Sequence, residues 1–553
     1  MPSSSNPPLQ SAPAHYESQL LDHLGLVAGM VDELGLVELI DKMLPKPMEV
    51  ADVSHGHAVK AMIVNGLGFV QRTLYLMPEF FQNKPVDRLV GAGIEADQLN
   101  DDLLGRTLDK IYDYGLEGFY SPLALQAVNR LGLEGDKAHL DSSSFHTDGV
   151  YNSGHPPQDD EAVIHITRGY SRDHRPELNQ LVLQLICENQ AGIPMLMKPL
   201  SGNSSDKTDF RGTLQAHLDQ LQTEAGIHYL VADSALYTAE TLPLLQTVNW
   251  ITRVPETLKL AREQISQQAS ALMADPKTLS LKSVAVRYAA LDQRWLVVYS
   301  PEAHQRALKT VSRQLLKQSH VQHKAFQQLC RESFACQTDA ETAVAHWQKK
   351  HKLLDIHELR FIREPHYRGR GRPADGVAPD YYEVRIEGAV ATPIADYQQR
   401  IARKSCFIIA TNEQDQTVLS DTALLALYKE QQTVERGFRF LKDPQFMASS
   451  LFLKSVKRVM ALTVIMTLCL MVYAALEYRI RKALYEAEET FPNQLGKRVM
   501  NPTARWIFQY FTGIHLLIIN DEQALVLNMD EEHQRIVRLL GMPYQQIYSS
   551  NQR

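Results

Sequence analysis

Three acidic residues stand where a folded chain could bring them together around divalent cations. KAHLD ends a predicted strand on Asp141, HYLVAD ends another on Asp233, and Glu435 lies in a predicted helix from Asp421 to Leu441. Ligand groups in α/β folds gather at the carboxyl ends of strands, and Mg²⁺ and Mn²⁺ prefer carboxylate oxygens. Two such ions about 3.5–4 Å apart can drive an in-line displacement at phosphorus. The competing interpretation is that these aspartates only form turns.

The segment YKEQQTVERGFRFLKDP predicts a helix with one polar and charged face. Residues at three- and four-residue steps share this face: Tyr428, Gln431 or Gln432, Glu435, Arg439 and Lys442. A carboxylate flanked by a phenol and two cations suits a polyanion, because the acid can hold metal while the cations bind phosphate. A simple i,i+4 ion pair between Glu435 and Arg439 on a solvated face is the alternative.

This helix resembles the signature Y-x2-R-x3-E-x6-K of bacterial insertion-sequence DDE transposases, the cut-and-paste family. Tyr428, Glu435 and Lys442 fit its spacing, and Gln431 stands where the signature has arginine. HLDSSSF around Asp141 and LVADSALYT around Asp233 resemble the segments of the first two acidic residues in that family. GYSRDHRPELNQLVLQLI and SGNSSDKTDF between them are also similar. The resemblance extends from about residue 135 to residue 481, apart from an insertion.

The resemblance implies an α/β fold: a ribonuclease-H-like mixed sheet split by an inserted domain, with helical N-terminal and C-terminal regions. It implies that Asp141, Asp233 and Glu435 are catalytic and bind two Mg²⁺ ions, for which Mn²⁺ can substitute. Tyr428 and Lys442 would then contact DNA phosphate. The implied reaction cleaves transposon ends and joins the freed 3′-OH to target DNA. The implied partners are double-stranded DNA and a second copy of the chain.

Two other activities remain compatible with the same residues. A related two-metal nuclease would cut DNA without joining it. A DNA-binding regulator or transposase relic would bind DNA without catalysis, although all three acidic positions are intact here. Labelled end DNA incubated with Mg²⁺ and target DNA distinguishes these activities by joined product, cleavage alone, or a bound and intact duplex.

Changes in sequence pattern divide the chain into six segments. Residues 1–14 are predicted to be a disordered lead, and residues 15–134 a helical domain for DNA binding or dimerisation. Residues 135–255 and 401–482 are predicted to form the two parts of the catalytic core. Residues 256–400 are predicted to be the insertion, and residues 483–553 a helical C-terminal region.

Hydrophobic patterning predicts the elements that would position the acidic residues. Beyond the two strands already described, apolar runs predict strands at LNQLVLQLICEN, IPMLMKPL, WITRVP and SCFIIATN. Helices are predicted over Phe210–Leu221 and between Asp233 and the WITRVP strand. The insertion is predicted to hold a polar helical stretch over 303–354 and strands around Trp295 and Tyr382. Trp295 could stack on a flipped base, but its apolar neighbours favour a core position.

Charge is unevenly distributed, which matters more for DNA binding than the net value of −7. Residues 301–372 contain 14 Lys and Arg against 7 Asp and Glu, a local balance of 14 − 7 = +7. Within this segment Arg370 and Arg372, in the sequence RGRP, match the core of a minor-groove AT-hook, with Arg368 just before them. A plain basic surface loop is the alternative, and either interpretation predicts contact with the DNA backbone.

The remaining signals concern compartment and metal. The five cysteines are scattered without a CxxC pair, and the N-terminus lacks the regions of an export signal, so a cytoplasmic, nucleoid-associated protein is expected. The apolar run 459–476 is long enough to span a membrane, but a buried core helix is the preferred interpretation. Four histidines near Asp141 fit no zinc spacing: His146, His155, His165 and His174.

Overall fold

The protein is described here by a computed structural model that covers residues 15–46, 53–69, 74–147, 163–171, 175–223, 226–369, 376–442, 453, 455–520 and 523–552. The predicted lead at 1–14, with His155, His174, Arg370 and Arg372, lies outside the described residues. The chain divides into two compact units, Met1–Ile251 with Ala426–Arg553, and Thr252–Leu425. The domain boundaries proposed from sequence stay predictions.

The N-terminal part of the first unit begins with one strand and continues as helices. Its elements are β1 (Tyr16–Leu20), α1 (Leu24–Glu33), α2 (Leu36–Met43), α3 (His55–Gly66), α4 (Met77–Phe81), α5 (Val86–Leu89), α6 (Asp101–Tyr114) and α7 (Leu116–Leu131). Asn100 caps α6 as its sequence predicts, since its side chain accepts a hydrogen bond from the backbone N–H of Leu103. The expectation of helix from residue 16 onward is wrong at β1, which pairs with a C-terminal strand far away in sequence.

Six further elements follow in the first unit: β2 (Lys137–Thr147), β3 (Asn179–Glu188), β4 (Pro194–Ser201), α8 (Asp206–Thr223), β5 (Tyr229–Ala232) and β6 (Asn249–Arg253). These confirm the predicted strands and the helix before β5. The helix predicted between β5 and β6 is wrong, since that segment holds only a short 3-10 turn over Leu242–Leu245. A segment of only 16 residues that must also return the chain to the sheet leaves little room for a helix.

The second unit holds α9 (Lys259–Leu272), β7 (Ser280–Tyr288), β8 (Leu291–Tyr299), α10 (Pro301–Leu329), β9 (Ser333–Phe334), α11 (Gln337–Lys350), β10 (Asp355–His366), β11 (Tyr381–Ala391), α12 (Ile394–Ser405), β12 (Cys406–Thr411) and the first half of α13 (Asp421–Glu430). The strands predicted around Trp295 and Tyr382 are confirmed as β8 and β11. The predicted helical stretch over 303–354 is instead two helices, α10 and α11, separated by β9. Trp295 is fully buried, as its apolar neighbours indicated.

The chain then returns to the first unit with α14 (Gln432–Leu441), α15 (Val456–Glu486), β13 (Phe491–Pro492), β14 (Arg498–Val499), α16 (Ala504–Tyr510), β15 (His515–Ile519), β16 (Gln523–Leu527), α17 (Glu531–Leu540), α18 (Met542–Ile547) and β17 (Asn551–Gln552). The C-terminal region therefore has the expected helices. It also has strands that the sequence did not predict, which join β1 in a sheet of order β1-β15-β16-β17.

Eight strands form a mixed sheet in the order β4-β3-β2-β5-β6-β12-β8-β7. In the first unit β3 pairs antiparallel with both β2 and β4, whereas β5 pairs parallel with β2. Three antiparallel strands with a parallel strand beside the first are the ribonuclease-H-like arrangement that was expected. The predicted mixed α/β fold class is confirmed. In the second unit a separate three-stranded sheet has the order β10-β11-β9.

The apolar helix α15 lies at the centre of the first unit. Helices α1, α3, α6, α7 and α17 and strand β4 all pack against it. It is the one helix among the described residues that is long and apolar enough to cross a membrane, and 89% of its most apolar window is buried inside the protein. The hydroxyl of Thr467 donates to the carbonyl of Thr463 at 2.8 Å, so its polar group is satisfied within the helix. These contacts support the core-helix interpretation.

Trp250 anchors β6 and supports a prediction about stability. It is 1% exposed, and its ring meets that of Tyr237 edge-on with 6.3 Å between centroids. Trp250→Ala is expected to lower the free energy of unfolding by about 3–5 kcal/mol, since it leaves a large cavity. Tyr170→Ala removes a ring that is 86% exposed and should change it by no more than about 0.5 kcal/mol. Chemical denaturation of both variants checks this, and equal effects would contradict it.

Candidate active site

Asp141 lies in the middle of β2 rather than at its end, which corrects the prediction that the strand stops there. The strand continues to Thr147 because β3 pairs with it along its whole length, from Ala138 opposite Glu188 to Thr147 opposite Asn179. Asp141 is 7% exposed, and one of its carboxylate oxygens accepts a hydrogen bond from the backbone N–H of Ser142 at 2.8 Å. A nearly buried acid within a central strand has a fixed position.

Asp233 directly follows β5, as predicted, and the strand register brings it beside Asp141. Strands β2 and β5 run parallel, with Leu140 opposite Ala232. The next position along both strands holds the two aspartates, and neighbouring strands lie about 4.8 Å apart. Residues in register on adjacent strands point to the same face of the sheet. Asp233 Oδ1 accepts a hydrogen bond from the backbone N–H of Ala235 at 2.9 Å, which fixes the turn after the strand.

The helix that carries Glu435 packs against β2. Two contacts fix its direction. Near its start, the Asn189 side-chain amide lies 3.5 Å from Glu430 Oε2, next to the end of β3 that pairs with the beginning of β2. At its other end, Lys442 Nζ lies 5.7 Å from the centroid of the Phe145 ring, further along β2. Helix α14 therefore runs in the same direction as β2.

A length estimate predicts that Glu435 lies near the level of Asp141 along the strand. A helix rises about 1.5 Å per residue and a strand about 3.3 Å, so five residues of helix, the separation of Glu430 and Glu435, correspond to about 7.5 Å, or roughly two to three strand residues. Counted from the start of β2, that distance ends near Asp141. Phe145 and Asp141 are four positions apart in the strand and therefore share one face, the face over which Lys442 lies.

The carboxylate of Glu435 contacts Arg439 rather than forming part of a cluster of possible metal ligands. Its side chain is about half exposed, and Glu435 Oε2 lies 3.5 Å from Arg439 Nη2. Among the described residues, no three His, Cys, Asp or Glu side chains lie close enough to form a ready metal cage. The i,i+4 ion pair that the sequence offered as an alternative is thus present. Strands β2 and β5 place the two aspartates at neighbouring positions, whereas Glu435 of α14 is paired with Arg439.

The single long helix predicted from Asp421 to Leu441 is two helices, and the break falls at Gln431. Its carbonyl accepts hydrogen bonds from the backbone N–H groups of Val434 and Glu435, and its own N–H donates to the carbonyl of Tyr428. Gln431 is 6% exposed, so the residue that replaces the signature arginine is buried rather than presented to solvent. Tyr428 therefore belongs to α13, whereas Glu435 and Arg439 belong to α14.

His139 is a feature of this site that the sequence did not single out. It lies two residues before Asp141 on the same face of β2, is 1% exposed, and neither ring nitrogen has a hydrogen-bond partner among the described residues. Burial lowers the pKa of His139 to about 4, so the ring is neutral near pH 7. The period-two spacing of His139 and Asp141 was the available signal.

The other residues singled out from the sequence are distributed over both units. Arg368 belongs to the second unit, is exposed, and donates its backbone N–H to Asp380 at 2.7 Å. Arg439 is 75% exposed and Lys442 is partly buried. His146 lies 3.3 Å from the hydroxyl of Ser171, and neither it nor His165 joins a metal cluster in the described part of the chain.

Comparison with known proteins defines the class. Residues 140–472 match the family described as Transposase DDE domain, which is more than half of the chain. The chain therefore belongs to the DDE transposase family, as its sequence indicated. Residues 16–125 match a domain of unknown function (DUF4277).

One solved structure similar to this chain is the cryo-EM structure of the piggyBac transposase synaptic complex with hairpin DNA. The two are 8% identical with a TM-score of 0.36, and the match covers 90% of this chain and 82% of that one. No curated protein matches the chain.

Proposed function

We propose that this protein is a bacterial insertion-sequence transposase with a Y-R-E-K-type catalytic helix. It would cleave transposon ends and join the 3′-OH to target DNA by two-metal-ion phosphoryl transfer. The observation that supports this proposal is the parallel register of β2 and β5, with Leu140 opposite Ala232 one position before the two aspartates, together with the packing of α14, which carries Glu435, against β2. Membership of the DDE transposase family supports it independently.

The donor set fits hard divalent cations. Asp141, Asp233 and Glu435 offer only oxygen ligands, and the family generally uses divalent metals, here proposed to be two Mg²⁺ ions with Mn²⁺ as a substitute. When bound, the ions would activate the attacking oxygen and stabilise the leaving oxygen. The chain itself contributes the fixed positions of the two aspartates. Glu435 would leave Arg439 and turn toward β2, which frees Arg439 to bind phosphate.

The proposed DNA contacts are residues whose side chains flank the carboxylates or lie in the basic segment: Tyr428, Gln431, Arg439, Lys442, Arg368, Arg370 and Arg372. The proposed partners are double-stranded DNA, both the inverted-repeat ends and the target, and a second copy of the chain in the DNA complex. The proposed location is the cytoplasm, at the nucleoid when bound to DNA. Gln431 is buried at the junction of α13 and α14, which distinguishes it from the exposed members of this set, such as Arg439 and Arg368.

The test is a strand-transfer assay on the full chain. Labelled end DNA taken from the flanks of the encoding element is incubated with target plasmid and Mg²⁺, and the products are separated on denaturing gels. Joined product supports the proposal, and EDTA should abolish it while leaving a DNA-bound complex. Cleavage without joining would make the protein a nuclease. A bound and intact duplex in the presence of Mg²⁺ and Mn²⁺ would make it a DNA-binding regulator.

Lys442→Ala is expected to weaken DNA binding and to reduce its salt dependence. If Lys442 neutralises one phosphate, the slope of log K against log salt falls in magnitude by about 0.9. Lys482 offers a matched control, because its Nζ lies at the same 5.7 Å from the ring centroid of Tyr478. Lys482→Ala should leave the slope unchanged. Fluorescence anisotropy across a salt series measures both, and equal slopes for Lys442→Ala and the wild type would remove Lys442 from the phosphate contacts.

A further inference from the structure

Helix α10 in the second unit carries five cations on one face and almost no acid. Its 29 residues contain one acidic side chain, Glu302, which lies in the first turn. The cations follow at steps of three, four, four and seven residues, so they line a single face of the helix. We call this set the α10 stripe: Arg306, Lys309, Arg313, Lys317 and Lys324.

Packing of the opposite face holds the α10 stripe toward solvent. Val311, Leu315, Phe326 and Leu329 of α10 are buried in the hydrophobic core of the second unit, at positions about half a turn away from the stripe. The hydroxyl groups of Ser312 and Tyr397 also lie 3.2 Å apart, which ties α10 to α12. All five members of the stripe are exposed.

The positive charge of the stripe is not neutralised locally. Within the described part of the chain, none of its five members forms an ion pair or hydrogen bond through its side chain. Arg306 to Lys324 span 18 residues, or about 27 Å of helix. Five like charges along that length repel one another, and a chain with a net charge of −7 has many acids that could have been placed there. A surface of this kind binds an extended polyanion.

Charge complementarity favours duplex DNA as that polyanion. A helix that lies on an anionic membrane needs its apolar face for insertion, and the apolar face of α10 is already in the core. A second copy of the chain that docked symmetrically through this face would bring the same positive charge to the stripe. Duplex DNA presents one negative charge per about 1.7 Å of its axis, enough for every member of the stripe to meet a phosphate.

We propose that the α10 stripe is a binding surface for the phosphate backbone of duplex DNA. The proposal rests on the proposed function, because it assigns a further contact to the same substrate class. The surface reads charge rather than sequence, since a line of lysines and arginines against phosphates carries no base information. It therefore serves to hold and orient DNA. It supplies no ligand to the proposed metal site.

The test neutralises three members of the stripe and measures binding without catalysis. The variant Arg313→Gln/Lys317→Gln/Lys324→Gln and the wild type are titrated, in EDTA, with a labelled 30-base-pair duplex across a salt series. We expect the slope of log K against log salt to fall in magnitude by about 2.7 and the affinity at 0.1 M salt to fall about tenfold or more. The matched control is Lys349→Gln/Lys350→Gln/Lys352→Gln, which removes three exposed charges of the same unit from outside the stripe.

Each outcome decides the proposal. A reduced slope in the stripe variant alone, with both variants folded by circular dichroism, supports it. Equal slopes in both triple variants, or no DNA binding by the wild type, overturns it. Tighter binding of an RNA duplex or of phosphatidylserine vesicles, lost only in the stripe variant, also overturns the DNA assignment. Because EDTA prevents cleavage, a failed strand-transfer assay would reject the proposed catalytic function without altering this result.

Discussion

Asp141→Asn and Asp233→Asn are each expected to abolish DNA cleavage while leaving DNA binding within about twofold of wild type. The register of β2 and β5 places the two aspartates at neighbouring positions, so if they hold the metal ions as proposed, removing either charge removes a ligand. Loss of one member of such a catalytic group lowers kcat by about 10⁴-fold or more. Asparagine keeps the shape of the side chain and can still accept the hydrogen bonds from Ser142 and Ala235.

The measurement combines a gel assay of end cleavage with anisotropy of a labelled duplex in EDTA. Asp113→Asn is the matched control, because Asp113 is an exposed residue of α6 in the same unit, away from β2 and β5. It should cleave at the wild-type rate. If either site variant retains more than a tenth of the wild-type rate, that aspartate is a structural residue. The proposal that the two aspartates together hold the metal ions is then contradicted.

Glu435→Gln is expected to lower cleavage as strongly as loss of either aspartate, even though Glu435 is paired with Arg439 in the structure. The pair is about half exposed, so breaking it costs no more than about 0.5 kcal/mol, the scale of an i,i+4 helix pair. If the aspartates hold two divalent cations as proposed, those ions would attract the Glu435 carboxylate more strongly than one exposed arginine does. The ion pair with Arg439 therefore does not prevent Glu435 from turning toward β2.

A cysteine at position 435 gives a readout specific to metal binding. Glu435→Cys is expected to be inactive with Mg²⁺ and partly active with Mn²⁺, because a thiolate is a poor ligand for the harder ion and an acceptable one for the softer. Glu430→Gln is the control, since Glu430 lies on α13 and faces Asn189 instead. No difference between the two metals for Glu435→Cys, together with an active Glu435→Gln, would show that Glu435 acts only in its ion pair.

Several elements of the first unit were predictable because each has a strong pattern of its own. The continuous apolar runs of β3 and β4 and the helical periodicity of α8 need no distant partner to be recognised. The end of β2 was missed because HLDSSSF contains three serines, which favour turns in isolation. In the folded chain β3 pairs with β2 throughout, and those serines are buried within the sheet.

Other features were missed because they depend on contacts with distant parts of the chain. YESQL at β1 has little strand signal, and it becomes a strand only by pairing with β15 almost 500 residues away. His139 was overlooked because a spacing of two residues from Asp141 is too common to single out a histidine, and only the folded chain shows that its ring is buried without hydrogen-bond partners among the described residues. The sequence showed the α10 stripe only as a local excess of positive charge. The packing of α10 was needed to show that these cations lie on the face opposite its buried residues.

The sequence by itself indicated the family and the mixed α/β class, because residue type and spacing carry both signals locally, and it named the three acidic candidates and the i,i+4 pair of Glu435 with Arg439. The tertiary structure decided two other matters. It set the parallel register of β2 and β5 and the direction of α14 along β2. The physical reason is that these distances are fixed by hydrogen bonds and packing between segments far apart in sequence, such as β2 and α14, which are nearly 300 residues apart. Local sequence propensities do not determine such distances.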